Sequence, residues 1–269
     1  MPSVASLGFA TPPVAIPHVA PPEPADFERR YRRARRPVVL RGLVSEQELS
    51  RWSFATLAAE WATLSVPTIR TRAGAITADP RRGVTTAPEA LAGVLGELNG
   101  TDVPSRYMMA RIDELPEAWG ERIRVPEYCA GARWLSRKVW LSPAGTVSLM
   151  HRDAADNIHV QLIGSKRFTL ADAKEGPRLY PNGLLTSVPN GCRVDIEAPD
   201  FARYPRARDL RLWWIDLQPG DGVYVPRGTW HHVRTVADSL STNFWWARGM
   251  RLPLVVGADL FKRLRGVNR

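Results

Sequence analysis

The spacing of apolar residues changes its period near residue 106. Before that point several stretches are helical. Residues 27–36 read as a short helix stopped by Pro37. Leu91, Val94, Leu95 and Leu98 share one helix face that Asn99-Gly100 would end. Ser45-x-x-Glu48 and Thr86-x-x-Glu89 both have the form of a capping box, which satisfies the free backbone N–H groups of a first helical turn. Pro37-Val38-Val39-Leu40-Arg41-Gly42 predicts a buried strand entering a turn. The helices are expected to pack on one side of a sheet.

Beyond residue 106 short strand-like runs follow one another, at 107–112, 134–141, 157–162, 166–170, 210–217, 222–225, 231–235 and 241–247. Gly164-Ser165 and Pro219-Gly220-Asp221-Gly222 predict tight turns between them. Many short antiparallel strands point to a mainly β jelly-roll barrel with flanking helices, an α+β fold. Residues 181–208, rich in Pro, Asn, Gly and Arg, predict a long insertion of the kind that serves as a substrate lid. Residues 1–26 hold seven prolines and no Lys or Arg, which predicts a poorly ordered lead-in and no signal peptide. The expected organisation is a tail over 1–26, one domain over 27–249 (helical part 27–105, barrel 106–249) and a C-terminal helix within 250–269.

Composition narrows the classes. With 269 residues, 44% of them hydrophobic, the chain can bury one large core. The formal charge is +10, yet only Lys138, Lys166, Lys174 and Lys262 are lysines. The arginines at 29, 30, 32, 33, 35 and 36 could meet an acidic or nucleic-acid partner, but a solvated basic face explains them, and no nucleic-acid partner is expected. Cys129 and Cys192 give no disulfide framework, which places the chain in a reducing cytoplasm. No run of 18 apolar residues exists, so no membrane span is expected.

The chemistry concentrates in His151-Arg152-Asp153 and Trp230-His231-His232. Two imidazoles and one carboxylate can occupy one face of a ferrous ion and leave the other face open. In an extended segment, side chains two apart point the same way, so His151 and Asp153 can reach one metal. Periodicity alone does not choose between His231 and His232, because neighbours on a strand face opposite ways.

Longer blocks carry a resemblance. Trp140-Leu141-Ser142-x-x-Gly145-x-x-Ser148-x-x-His151-x-Asp153 is followed by Asn157, Gln161, Gly164 and Lys166. Gly220-Asp221-x-x-Tyr224-Val225-Pro226-x-x-Thr229-Trp230-His231-His232-Val233 and Asn243-Phe244-Trp245 come next. This order resembles the cupin-like JmjC hydroxylases, in particular the group of the asparaginyl hydroxylase that inhibits hypoxia-inducible factor. The resemblance implies a double-stranded β-helix and an Fe(II)- and 2-oxoglutarate-dependent dioxygenase using O2. It implies His151, Asp153 and His231 as iron ligands and Lys166, with Tyr107 and Ser148, on the distal carboxylate of 2-oxoglutarate. It further implies Asn157 and Asn243 beside the metal-proximal end. Arg248, near the last barrel strand where many other 2-oxoglutarate oxygenases carry their basic residue, is the rival of Lys166. His159 shares a face with Asn157 and can touch cosubstrate or substrate, or be a satisfied core histidine. Trp245 should face inward with Asn243.

The activity so implied is hydroxylation of an unactivated C–H of a peptide, protein or amino-acid side chain, with release of succinate and carbon dioxide. Asp153, where many JmjC demethylases carry Glu, favours carbon hydroxylation over demethylation. Tailoring of a small natural product is the alternative, and a non-catalytic cupin binding module with a basic helix is a second. A homodimer through the C-terminal helix is a further expectation.

Overall fold

A computed structural model of the chain describes residues 7–76, 84–183, 186 and 188–248. The described strands join in one 13-stranded sheet. In chain order they are β1 (Val14–Ala15), β2 (His18–Val19), β3 (Val38–Leu40), β4 (Ser65–Arg72), β5 (Ala75–Ile76), β6 (Ala87–Ala90) and β7 (Arg106–Arg111). Then follow β8 (Trp134–Ser142), β9 (Val147–Arg152), β10 (Asp156–Ala171), β11 (Leu212–Leu217), β12 (Gly222–Val225) and β13 (Trp230–Ala247). This is the mainly β jelly-roll architecture that the strand pattern predicts.

Two long strands organise it. β10 and β13 pair antiparallel along their whole lengths. The first half of β10 also pairs with β12 and its second half with β11. Likewise the second half of β13 pairs with β8, and its first half with β9. Each strand therefore passes from one layer of the barrel to the other. The register shifts between Gln161 and Lys166 mark that corner.

Gly164-Ser165 is thus a bulged corner inside one continuous strand, where the sequence predicts a turn between two. Gly164 has φ +68°, and a Cβ there would lie 1.8 Å from the Asp238 carbonyl oxygen. Only glycine fits the two chains this close.

Helices cover the outer face of the larger layer. Ile158, Val160, Tyr224, Phe244, Trp246, Met108 and Val139 pack there with Leu57, Leu91, Val94 and Trp119 in one buried cluster. Leu57 comes from α3, Leu91 and Val94 from α4, and Trp119 from α5; α1 and α2 precede these. Their spans are α1 Pro24–Phe27, α2 Glu46–Leu49, α3 Phe54–Trp61, α4 Leu91–Leu95 and α5 Glu117–Arg122. Ser45 and Glu48 form the expected capping box on α2.

Several expectations need correction. Residues 14–19 are not a loose tail: β1 pairs with β11 and β2 with β3, and Ile16 is buried. Pro24 starts α1, three residues earlier than the sequence reading, because a proline ring is preset for a first helical position. The chain continues through Glu28–Arg32 with wider i→i+5 bonding, as in Arg33 N–H to Glu28 O.

Thr86-x-x-Glu89 opens no helix. Residues 87–90 form an edge strand against β4, and Glu89 pairs with Arg70 and Arg106 instead of capping backbone. The part over 27–105 is mixed, since β3 to β6 lie within it. The predicted helix over 253–266, and with it the route to a homodimer, lies outside the described residues.

Candidate metal centre

His151 sits one residue before the end of β9, Asp153 just past that end, and His231 second in β13. The β9–β13 ladder sets His231 opposite His151, with ring centroids 4.1 Å apart. The ligating atoms of His151, Asp153 and His231 lie within 4.8 Å of one another. His231 Nε2 is 3.6 Å from an Asp153 oxygen. Three stretches distant in sequence thus converge on a point where one ion can sit.

Backbone contacts fix both imidazoles. His151 Nδ1 lies 2.7 Å from the Leu149 carbonyl oxygen and His231 Nδ1 lies 3.1 Å from that of Thr229. A carbonyl only accepts, so each Nδ1–H donates and each Nε2 keeps its lone pair. Burial first, and His151 second, pull the His231 pKa down to about 4. It is therefore neutral at neutral pH, the form that ligates a metal. Asp153 accepts a hydrogen bond from Trp245 Nε1 at 2.8 Å. That bond was not foreseen; the alternation through 241, 243 and 245 is the signal that points Trp245 inward.

Ser148 precedes His151 by three, a spacing that in a regular strand sends the two to opposite faces. The ladder is irregular here, with His231 paired to His151 but Val233 to Ser148. Two residues of β13 span three of β9, and the bulge returns Ser148 to the face of His151.

The same interior holds Lys166, 1% exposed. Its Nζ donates to Ser241 Oγ at 3.0 Å and lies 5.6 Å from the Tyr107 ring centroid. Among the described residues no carboxylate lies within ion-pair distance of it. Burial pulls its pKa down to about 7 and pushes the Tyr107 phenol up. A lysine so placed is costly unless an anion arrives from outside the chain.

Asn243, Asn157 and His159 form a chain. Asn243 donates from Nδ2 to Asn157 Oδ1 at 2.9 Å, and its Oδ1 lies 2.7 Å from His159 Nδ1. Buried His159 Nε2 and Gln161 Oε1 have no hydrogen-bond partner.

The remaining candidates fall elsewhere. His232 points away from the triad, with Nε2 3.7 Å from Glu197 of the insertion. Arg248 donates to the carbonyl oxygens of Tyr128 and Ala130 and pairs with Glu28 at 3.5 Å, so it is no rival of Lys166. Arg152 stacks on Trp230, its guanidinium carbon 4.9 Å from the ring centroid. The insertion is tied to the metal strand: Arg152 N–H donates to the Asn190 carbonyl at 3.0 Å, and His151 bridges to Gly191. It forms a wall beside His151.

A double-layered barrel with two histidines and an aspartate converging inside defines a metal-binding cupin. Two nitrogens and one oxygen on one side, with the other side free of protein ligands among the described residues, fit Fe(II) better than a four-ligand structural zinc. Buried Lys166, lacking an anion, fits one end of 2-oxoglutarate.

The profile of the cupin-like domain matches residues 24–251, and the chain belongs to that family. It is similar to Jumonji C domain-containing protein 5 of Drosophila melanogaster, 40% identical over 133 residues, covering 47% of this chain and 32% of the relative. It is also similar to lysine-specific demethylase 8 of Xenopus tropicalis, 28% identical over 87% of this chain and 53% of the relative. A third relative is tRNA wybutosine-synthesizing protein 5 of Gallus gallus, 29% identical over 47% of this chain and 38% of the relative. These matches agree with the JmjC resemblance. The chain spans about half or less of the length of these relatives.

Proposed function

We propose that this protein is an Fe(II)- and 2-oxoglutarate-dependent oxygenase that hydroxylates an unactivated C–H of a peptide, protein or amino-acid side chain. The observation that carries this reading is the pairing of a two-histidine, one-carboxylate triad with a buried lysine that has no counter-ion. When bound, iron, 2-oxoglutarate and dioxygen supply the oxidising step, in which the cosubstrate becomes succinate and carbon dioxide and one oxygen atom enters the substrate.

The chain's own residues bind and orient. His151, Asp153 and His231 hold the metal, and the Thr229 and Leu149 carbonyls keep both imidazoles in the ligating tautomer. Trp245 Nε1 fixes one oxygen of Asp153. Lys166 neutralises the distal carboxylate, with Tyr107 and Ser148 beside it. Asn243 occupies the Oδ1 of Asn157 and so turns the remaining N–H groups of Asn157 toward donation to the metal-proximal end. The buried interior excludes bulk water from these contacts.

No described helix is long and apolar enough to cross a membrane. Cys129 and Cys192 are both free thiols, which supports a cytoplasmic setting.

The test is anaerobic Fe(II) and 2-oxoglutarate addition, then air, with succinate and substrate mass recorded. Wild type should release succinate only with iron present, and Asp153→Ala should lose at least about 100-fold. Product gaining one oxygen atom identifies hydroxylation. Formaldehyde release would establish instead the demethylation for which the Xenopus tropicalis relative is named, and iron-independent succinate would defeat the proposal.

A further inference from the structure

Within the arginine-rich helical segment at the N-terminus, one residue behaves unlike the rest. Arg29 and Arg33 have side chains 71% and 76% exposed, whereas the Arg32 side chain is 19% exposed. Arg32 pairs with Glu28 and reaches Asp156 at 3.5 Å. Glu28 pairs in turn with Arg248, at the end of β13. A solvated basic face would not reach a buried carboxylate such as Asp156.

Asp156 opens β10 and is 3% exposed. It accepts from the Tyr224 hydroxyl at 2.8 Å and the Arg227 backbone N–H at 3.2 Å, and the guanidinium groups of Arg227 and Arg32 each approach to 3.5 Å. A buried carboxylate with this many donors fixes whatever carries them.

What it fixes is the turn 226–229. Gly228 N–H donates to the Asp153 carbonyl oxygen at 2.8 Å, and the Thr229 carbonyl accepts from His231 Nδ1 at 3.1 Å. One four-residue turn therefore touches the carboxylate ligand on one side and an imidazole ligand on the other. Asp156 grips that turn between the two, at the Arg227 N–H.

We infer that Arg32, Asp156 and the 226–229 turn form a positioning unit, through which the N-terminal helical segment presets Asp153 and His231 for metal. Neither Arg32 nor Asp156 meets a reacting group; both act through the ligands. The inference rests on the metal-centre reading above. It gives the arginine-rich segment a role directed inward, toward the barrel.

Co(II), which is stable in air, is a suitable probe for the full chain. Visible absorption titrations would compare wild type with Asp153→Ala, Asp156→Asn, Arg32→Met and Arg29→Ala. Asp156→Asn should weaken Co(II) binding about tenfold, and Arg32→Met about threefold or more, as found for residues that orient ligands. Both should alter the ligand-field spectrum of the bound ion, a change that a general loss of stability does not produce. The double variant should bind little worse than Asp156→Asn alone, because both changes break one unit.

Arg29→Ala should match wild type. If Asp156→Asn does not fold, Arg32→Met at the outer end of the cluster decides the matter. Folded Arg32→Met and Asp156→Asn proteins with the affinity and spectrum of Arg29→Ala would overturn the inference. Equal Co(II) binding by wild type and Asp153→Ala would overturn the metal-centre reading, and the positioning unit with it.

Discussion

The two faces of β10 and β13 are equally dry and differently finished. On the outer face Ile158, Val160, Phe244 and Trp246, none more than 2% exposed, meet the helices in apolar contact. Its polar loose ends are indole N–H groups, on Trp119 and Trp246. On the inner face Asn157, His159, Lys166, Ser241 and Asn243 are also buried but polar: Asn243 bridges Asn157 and His159, Lys166 reaches Ser241, and only His159 Nε2 among them makes no hydrogen bond. A strand alternates its side chains whatever they are, so one segment builds both faces at once. The outer face stabilises the barrel; the inner face costs stability until a ligand completes it. What sets the inner face apart is a buried cation with no carboxylate beside it; burial and unpaired polar atoms occur on both faces.

Breaking the outer face should give the largest effect. Phe244→Ala removes a buried ring and should destabilise the fold by about 3–5 kcal/mol, read as a lower denaturant midpoint. Metal affinity of the folded fraction should stay within about twofold; a larger loss would show that the two faces are not independent.

Lys166→Met should do the reverse. It removes a buried cation without a partner and should raise Tm at neutral pH. Affinity for 2-oxoglutarate, measured calorimetrically with a redox-inert metal, should fall about 100-fold, the equivalent of ~3 kcal/mol. Unchanged affinity would remove Lys166 from the pocket's function.

The mildest probe is pH. The Lys166 pKa lies at about 7 in the folded chain against 10.5 for an ordinary lysine. The unfolded chain therefore holds a proton that the folded chain releases between those values. The cost to folding is full below about pH 7 and fades as pH rises toward 10.5. A bound carboxylate favours the ammonium form, so binding takes up a proton above about pH 7. Affinity should be level through this group below about pH 7 and fall about tenfold per pH unit above it. A constant affinity across that range would mean that Lys166 is not the cation.

The convergence of the triad was legible in sequence because it depends on residue type at fixed spacing. His151, Asp153 and His231 meet as their order implies, and Lys166 reaches the same interior. What escaped depends on three-dimensional neighbours. β4 was missed because Ser65–Arg72 mixes polar residues with a proline and lacks a clean alternation. Thr86-x-x-Glu89 misled because Glu89 has two arginines to serve, and a local cap cannot compete with them. The lead-in over 1–26 has a composition that predicts disorder, yet its short strands find exposed edges at β3 and β11. The bulge that turns Ser148 inward leaves no trace in the spacing of apolar residues.

The corner at Gly164 has a consequence for ligand choice. It lies between Gln161 and Lys166 on one strand, so it sets how far the ammonium stands from the histidine end of the cavity. Under the proposed function, that separation is a ruler for the number of carbons between two carboxylates. Its gauge is a backbone joint closed by the Asp238 carbonyl oxygen, with no space for even a methyl group. Retuning this barrel to a shorter or longer diacid would mean rebuilding the joint, because the lysine cannot be slid along the strand by itself.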